Sequence, residues 1–256
     1  TAAAGKVDEL AARYAGSSDN QSNVLAKLPA IVARYAGHRE LLHVVVESTK
    51  ATSNNEEAIS WTTWAARVLE AAVLGASARD AITSNLPHLE QPFRAAVEHA
   101  IHLAGEGGDV VAGVRSLRIN CVLASVVPAS VFLALSHGGA PSYAAAMRDN
   151  MLAGGDSCGR AVFLGALLAA VNAGTAAPPG AGLPDAWLAR LGCGAEMVDL
   201  VRHIHVPVLA TGGAAADHVE LVRSARRDDA AAAAASFACS AEAAAALAAA
   251  APAPAS

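Results

Sequence analysis

The sequence predicts an all-α fold, and three observations carry that expectation. Alanine is abundant and runs of β-branched residues are scarce, which favours helix. Apolar residues recur at helical spacing through most of the chain. No alternating strand pattern is present. Hydrophobic residues make up 54% of the 256 residues, enough to fill a sizeable core. Charged residues make up only 16%, so part of the surface is expected to be apolar or covered by a protein partner.

The elements follow in order. The first residues, TAAAGKVDELAARYAG, are amphipathic and do not have the apolar core of a signal peptide. Over 22–36, Leu25, Leu28, Val32 and Tyr35 fall at helical spacing, and Pro29 predicts a kink or break within them. Residues 38–50 are ambiguous, because Val44, Val45 and Val46 suit a strand while their flanks read as helix. Asn55 caps a clearer helix. Glu56 and Glu57 match the positive end of its dipole, Trp61, Trp64, Val68 and Ala72 share a face, and Gly75 ends it. Pro92 suits the first turn of the next helix, with Phe93, Val97, Ile101 and Ala104 as its stripe and GEGGD (105–109) as the turn beyond.

Ile119 to Ser136 is the most apolar stretch, but Asn120, Pro128 and three serines mark it as a buried helix rather than a membrane span. Pro141 opens a helix with Tyr143, Met147 and Met151 on one side. Asp156 caps another, whose apolar face runs through Ala161, Leu164, Leu167 and Leu168. GTAAPPGAGLP (174–184) is a surface loop or hinge by composition, read as a long loop in preference to a domain boundary. Residues 1–229 are expected to form a single domain, and 230–256 an alanine-rich, low-complexity tail.

A net charge of −5 with no basic block argues against nucleic-acid binding, and an aromatic content of 4% leaves few residues to stack on bases. Cys121, Cys158, Cys193 and Cys239 form no zinc spacing and read as reduced thiols of a cytoplasmic protein. His203 and His205, with Asp217 and His218, have no recognised zinc spacing and read as ordinary histidines. The runs DNQSN (19–23) and ATSNNEE (51–57) read as helix starts. Chemistry concentrates instead in GGDSCGR (154–160). Gly154 and Gly155 permit a sharp turn and close approach by a ligand, and Asp156 stands at a helix N-terminus, free to cap it or to bind a cation. Cys158 lies in the same first turn, but no histidine is near in sequence to serve as its base.

The stretch 125–174, SVVPASVFLALSHGGAPSYAAAMRDNMLAGGDSCGRAVFLGALLAAVNAG, resembles the ADP-ribosylglycohydrolase family, and its J1-crystallin-like branch most of all. SSDNQSNVLAKLPAIVARYAG (17–37), TSNNEEA (52–58) and GLPDAWLARL (182–191) resemble further family segments in the same order. The resemblance implies an orthogonal helical bundle. It also implies, for active members, two magnesium ions and cleavage of the glycosidic bond to ADP-ribose. Their ligands come from an early Thr-Asp-Asp-Thr motif and a late Gly-Gly-Asp-Thr-Asp-Thr motif. The early motif is absent here, as though the chain began downstream of it. In the late motif Asp156 is kept, Ser157 replaces a threonine, Cys158 replaces the second aspartate and Gly159 replaces the last threonine. Magnesium wants oxygen ligands in near-octahedral geometry, and a thiol is a poor substitute. Gly154, Gly155, Asp156, Ser157 and Cys158 are therefore expected to line a ligand pocket in which Asp156 is a vestigial metal ligand, with Arg160 neutralising it by an i,i+4 pair. The expected role is structural or scaffolding, without a cofactor. The alternative is an active magnesium-dependent hydrolase of ADP-ribosyl bonds whose early motif lies outside this chain.

Overall fold

A computed structural model describes residues 16–137, 142–173 and 181–203. The described residues are mostly helical, and their only β-pairings are two isolated bridges, Ser17 with Ser53 and Gln21 with Val122. The chain packs as two units, Thr1–Leu183 and Pro184–Ser256.

In the first unit the break expected at Pro29 is real. A 3-10 helix over Ser22–Lys27 gives way to α1 (Leu28–Tyr35), with Pro29 in its first turn where no helical N–H is lost. The ambiguous stretch is helix, α2 (Leu41–Lys50), because Leu41, Val45 and Thr49 lie one turn apart and are all buried. α3 (Glu56–Val73) starts as its sequence predicts: the Asn55 side chain accepts the Ala58 N–H at 3.1 Å. Gly75 beyond its end has φ +102°, a backbone setting that suits glycine.

α4 (Ala78–Asn85), capped by Ser77, lies between the predicted helices. α5 (Phe93–Glu106) takes Pro92 at its N-cap and continues through Gly105 and Glu106, so the predicted turn starts only at Gly107. Asp109 then caps α6 (Val110–Ser116) by accepting the Ala112 N–H at 3.1 Å.

α7 (Leu123–Ser136) is the central helix. Its sequence is apolar on nearly every side, and all but a few of its residues are buried, Pro128 among them. The Ser130 hydroxyl donates to the Val126 carbonyl at 2.8 Å and to the Arg160 carbonyl at 3.3 Å, tying α7 to the helix across it. No helix among the described residues is long and apolar enough to cross a membrane.

α8 (Tyr143–Ala153) is capped by Ser142, while Pro141 lies outside the described residues. Met147 is buried but Met151 is 62% exposed, so the predicted side is only half covered. α9 (Ser157–Asn172) packs against α3, α7 and α8 and presents Leu164, Leu167 and Leu168 to the core. Aromatic rings join these layers: Trp61 meets Trp64 edge-on at 6.3 Å and Phe93 at 5.2 Å, and Trp64 meets Phe163 at 6.3 Å.

The described part of the second unit holds two short helices, α10 (Asp185–Leu188) and α11 (Gly194–His203). His203 ends α11; His205, Asp217, His218 and the tail 230–256 lie outside the described residues.

Candidate functional site

The site is built where α8 ends and α9 begins. Gly154 and Gly155 have φ values of +75° and +63°, two successive left-handed residues that reverse the chain. Gly155 also needs its bare α-carbon, because a Cβ there would collide with the backbone and side chain of Ile119. Close approach of that loop lets the Asp156 N–H donate to the Ile119 carbonyl at 2.9 Å.

Asp156 is the N-cap of α9, and both of its carboxylate oxygens are engaged. Oδ1 accepts the Gly159 N–H at 2.9 Å. Oδ2 accepts the Ser22 hydroxyl at 2.5 Å, a contact between residues 134 positions apart. Ser22 is itself fixed by its backbone N–H, which donates to the Cys121 carbonyl at 2.8 Å. Gly159 is buried beneath this bond, and a Cβ on it would overlap Asp156 Oδ2 and Ser22 Oγ. The glycine that looks like a lost ligand in the sequence is thus required by packing. A threonine at 159 and the Ser22–Asp156 bond exclude one another.

The two polar runs read as helix starts meet beside this junction. Asn20 Nδ2 donates to Glu57 Oε2 at 2.8 Å, and Asn55 Nδ2 donates to the Ser18 carbonyl at 2.8 Å. Asp19 braces the turn by accepting the Ser17 hydroxyl at 2.8 Å and the Gln21 N–H at 3.3 Å. An open cleft of about 330 Å³ results, lined by Gln21, Ser22, Asn23, Cys121, Asp156 and Cys158, with Gly159 and Val162 completing its wall.

Of the five residues predicted to line a pocket, Asp156 and Cys158 do so. Gly154, Gly155 and Ser157 shape the turn instead, and the Ser157 N–H closes it on the Gly155 carbonyl at 2.8 Å. Cys121 and Cys158 are both exposed thiols. Gln21, Ser22 and Asn23 belong to the DNQSN run, which the sequence marks only as a helix start, and Cys121 reads there only as a reduced thiol; no local sequence signal brings the four to one cleft.

Arg160 departs from its predicted role. Its side chain is buried, its hydrogen bonds run to Asn150 and Gly154 rather than to Asp156, and Nη1 is buried without a hydrogen-bond partner. Nε donates to Asn150 Oδ1 at 2.7 Å, and Nη2 donates to the carbonyls of Asn150 at 3.1 Å and Gly154 at 2.5 Å. Burial pulls the Arg160 guanidinium below its usual range, and the charge of Asp156 opposes that shift.

The donor set does not match magnesium. The cleft offers one carboxylate with both oxygens already bound, together with amides, a hydroxyl and two soft thiols. Among the described residues no group of three or more His, Cys, Asp or Glu side chains is placed to hold a metal ion.

A helical bundle with a Gly-Gly-Asp turn opening α9 defines the class of protein. The ADP-ribosylglycohydrolase family model matches residues 2–217, and the chain belongs to that family. Among curated proteins, none matches it.

Proposed function

We propose that this chain is a non-catalytic member of the family, of the J1-crystallin-like branch, in which the metal site has been rebuilt as a structural joint. The observation that carries this reading is the packing of Gly159 against the Ser22–Asp156 bond. Loss of metal ligands by drift alone would leave Asp156 free. Here a buried serine and a glycine are fitted around it, and both oxygens carry structural hydrogen bonds. The role is structural or scaffolding within a protein assembly, a role that the low charge content of 16% supports. Three exposed free thiols, Cys121, Cys158 and Cys193, support a reducing, cytoplasmic setting. Isothermal calorimetry with magnesium chloride tests the reading: no stoichiometric binding at millimolar metal is expected, and uptake of two ions per chain would overturn it.

One observation favours a second reading, an active magnesium-dependent hydrolase of ADP-ribosyl bonds completed by residues outside those described. The cleft beside Asp156 is open and lined with amides suited to a polar ligand. Release of ADP-ribose from a modified protein, followed by mass spectrometry with magnesium present, separates the two. Multiple turnover would establish the hydrolase, and its absence leaves the structural reading in place.

A further inference from the structure

The cleft holds two groups that the joint between Ser22 and Asp156 does not use. Of the three described cysteines, Cys121 and Cys158 line it, and both are exposed. They come from segments distant in sequence: Cys121 precedes α7, and Cys158 lies in the first turn of α9. Ser22 rests against both segments. Its N–H donates to the Cys121 carbonyl at 2.8 Å, and a Cβ on Gly159, the residue after Cys158, would stand 2.8 Å from the Ser22 Cβ. A second tie joins the segments directly, where the Asp156 N–H donates to the Ile119 carbonyl at 2.9 Å. Each thiol thus lies two residues beyond a shared backbone hydrogen bond. Backbones joined in this way lie about 5 Å apart, and a disulfide needs its two Cα atoms within about 7 Å. Cys193 is engaged elsewhere, since its thiol donates to Met197 Sδ at 3.7 Å within the second unit.

We propose that Cys121 and Cys158 form a peroxide-responsive thiol pair, a modification site at which oxidation draws a disulfide across the cleft. One thiolate attacks a peroxide oxygen, the O–O bond breaks and hydroxide leaves, giving a sulfenic acid. The other thiolate attacks that sulfur, the S–O bond breaks, and the disulfide forms as a second hydroxide leaves. The two protons given up by the thiols turn both hydroxides into water, and the peroxide takes the two electrons that the sulfurs lose. Disulfides of this kind in a reducing compartment are transient, and small thiols reverse them. The pair does not depend on whether the chain binds magnesium, so it stands or falls apart from the structural reading above.

The test treats the reduced full chain with one equivalent of hydrogen peroxide, blocks the remaining thiols with N-ethylmaleimide and digests it with trypsin without reductant. Arg148 separates the two cysteines, so the bond appears in mass spectrometry as two linked peptides. Linkage of Cys121 to Cys158 is expected in at least half of the chains, and dithiothreitol is expected to remove it. In concentrated urea, where packing no longer holds the segments together, the yield is expected to fall about fivefold or more. Cys121→Ser and Cys158→Ser each take away one partner. Dimedone is then expected to trap a sulfenic acid on the surviving thiol in at least one of these variants, and to trap none in the wild type. No linkage, a yield as high in urea as in the folded chain, preferential linkage to Cys193 or Cys239, or a sulfenic acid that persists in the wild type would each overturn the proposal.

Discussion

Replacing Asp156 with alanine separates a structural aspartate from a metal ligand. The substitution removes two hydrogen bonds: the cap on Gly159 N–H at 2.9 Å and the acceptor for Ser22 Oγ at 2.5 Å. A lost N-cap costs about 1 kcal/mol. A lost hydrogen bond to a charged group costs about 2 kcal/mol, and Ser22, 5% exposed, has little access to replacement water. The expected loss is about 3 kcal/mol, read as a drop of roughly 9 °C in Tm for a domain of this size. Urea denaturation of the full chain in EDTA measures it directly. A carboxylate present only to hold metal would be neutral or stabilising to remove under those conditions, so a loss below about 1 kcal/mol would refute the reasoning. A double-mutant cycle adds a second check. Ser22→Ala alone is expected to cost about 2 kcal/mol but much less in the Asp156→Ala background, a coupling of about 1.5 kcal/mol.

Gly159→Ala should lower stability by about 2 kcal/mol in urea despite the better helix propensity of alanine, because the added Cβ meets Ser22 Oγ and Asp156 Oδ2; a gain in stability would show that the junction yields freely. Burial raises the Tyr143 phenol above its usual value, so from about pH 10 the unfolded chain ionises first and stability falls as pH rises toward the folded-state value. Tyr143→Phe should flatten that part of the alkaline loss in urea midpoints measured across it, and an unchanged profile would exclude Tyr143 as its source. Trp64 Nε1 donates to the Asn85 carbonyl at 3.1 Å, whereas Trp61 Nε1 is buried without a hydrogen-bond partner. Trp64→Phe should therefore cost about 1 kcal/mol more than Trp61→Phe in chemical denaturation, and equal costs would contradict the difference in pairing.

What the sequence made legible was local. Asn55 and Asp156 could be read as caps because each cap bonds a residue three positions away. Pro29 announced the break at the end of the 3-10 helix because proline restricts its own backbone. The apolar run before Ser136 declared a buried helix, although its first four residues, Ile119–Val122, are loop. The three valines of α2 stayed undecided, since β-branched residues suit a strand until burial of Leu41, Val45 and Thr49 fixes the period. The site was legible only in part, because its bonds are not local. Nothing near Ser22 in the chain points to Asp156. Gly159 looked like an erased ligand, and only the position of Ser22 shows why a side chain there is excluded. Arg160 was assigned by its i,i+4 spacing, but the end of α8 offers carbonyls that accept its donors without the desolvation of a second charge.

The bond between Ser22 and Asp156 spans 134 positions, and this sets when the cleft can exist during synthesis. A growing chain that has emerged only as far as α8 already contains Ser22 and Cys121 but has no carboxylate to receive the hydroxyl. Closing so long a loop costs roughly 4 kcal/mol in chain entropy, more than the single bond returns, so the joint forms only once α9 has docked on the helices made before it. The junction is thus a late fastening. A ribosome-bound intermediate ending before α9 would keep Ser22 accessible to solvent, and release of α9 would close the cleft in one step.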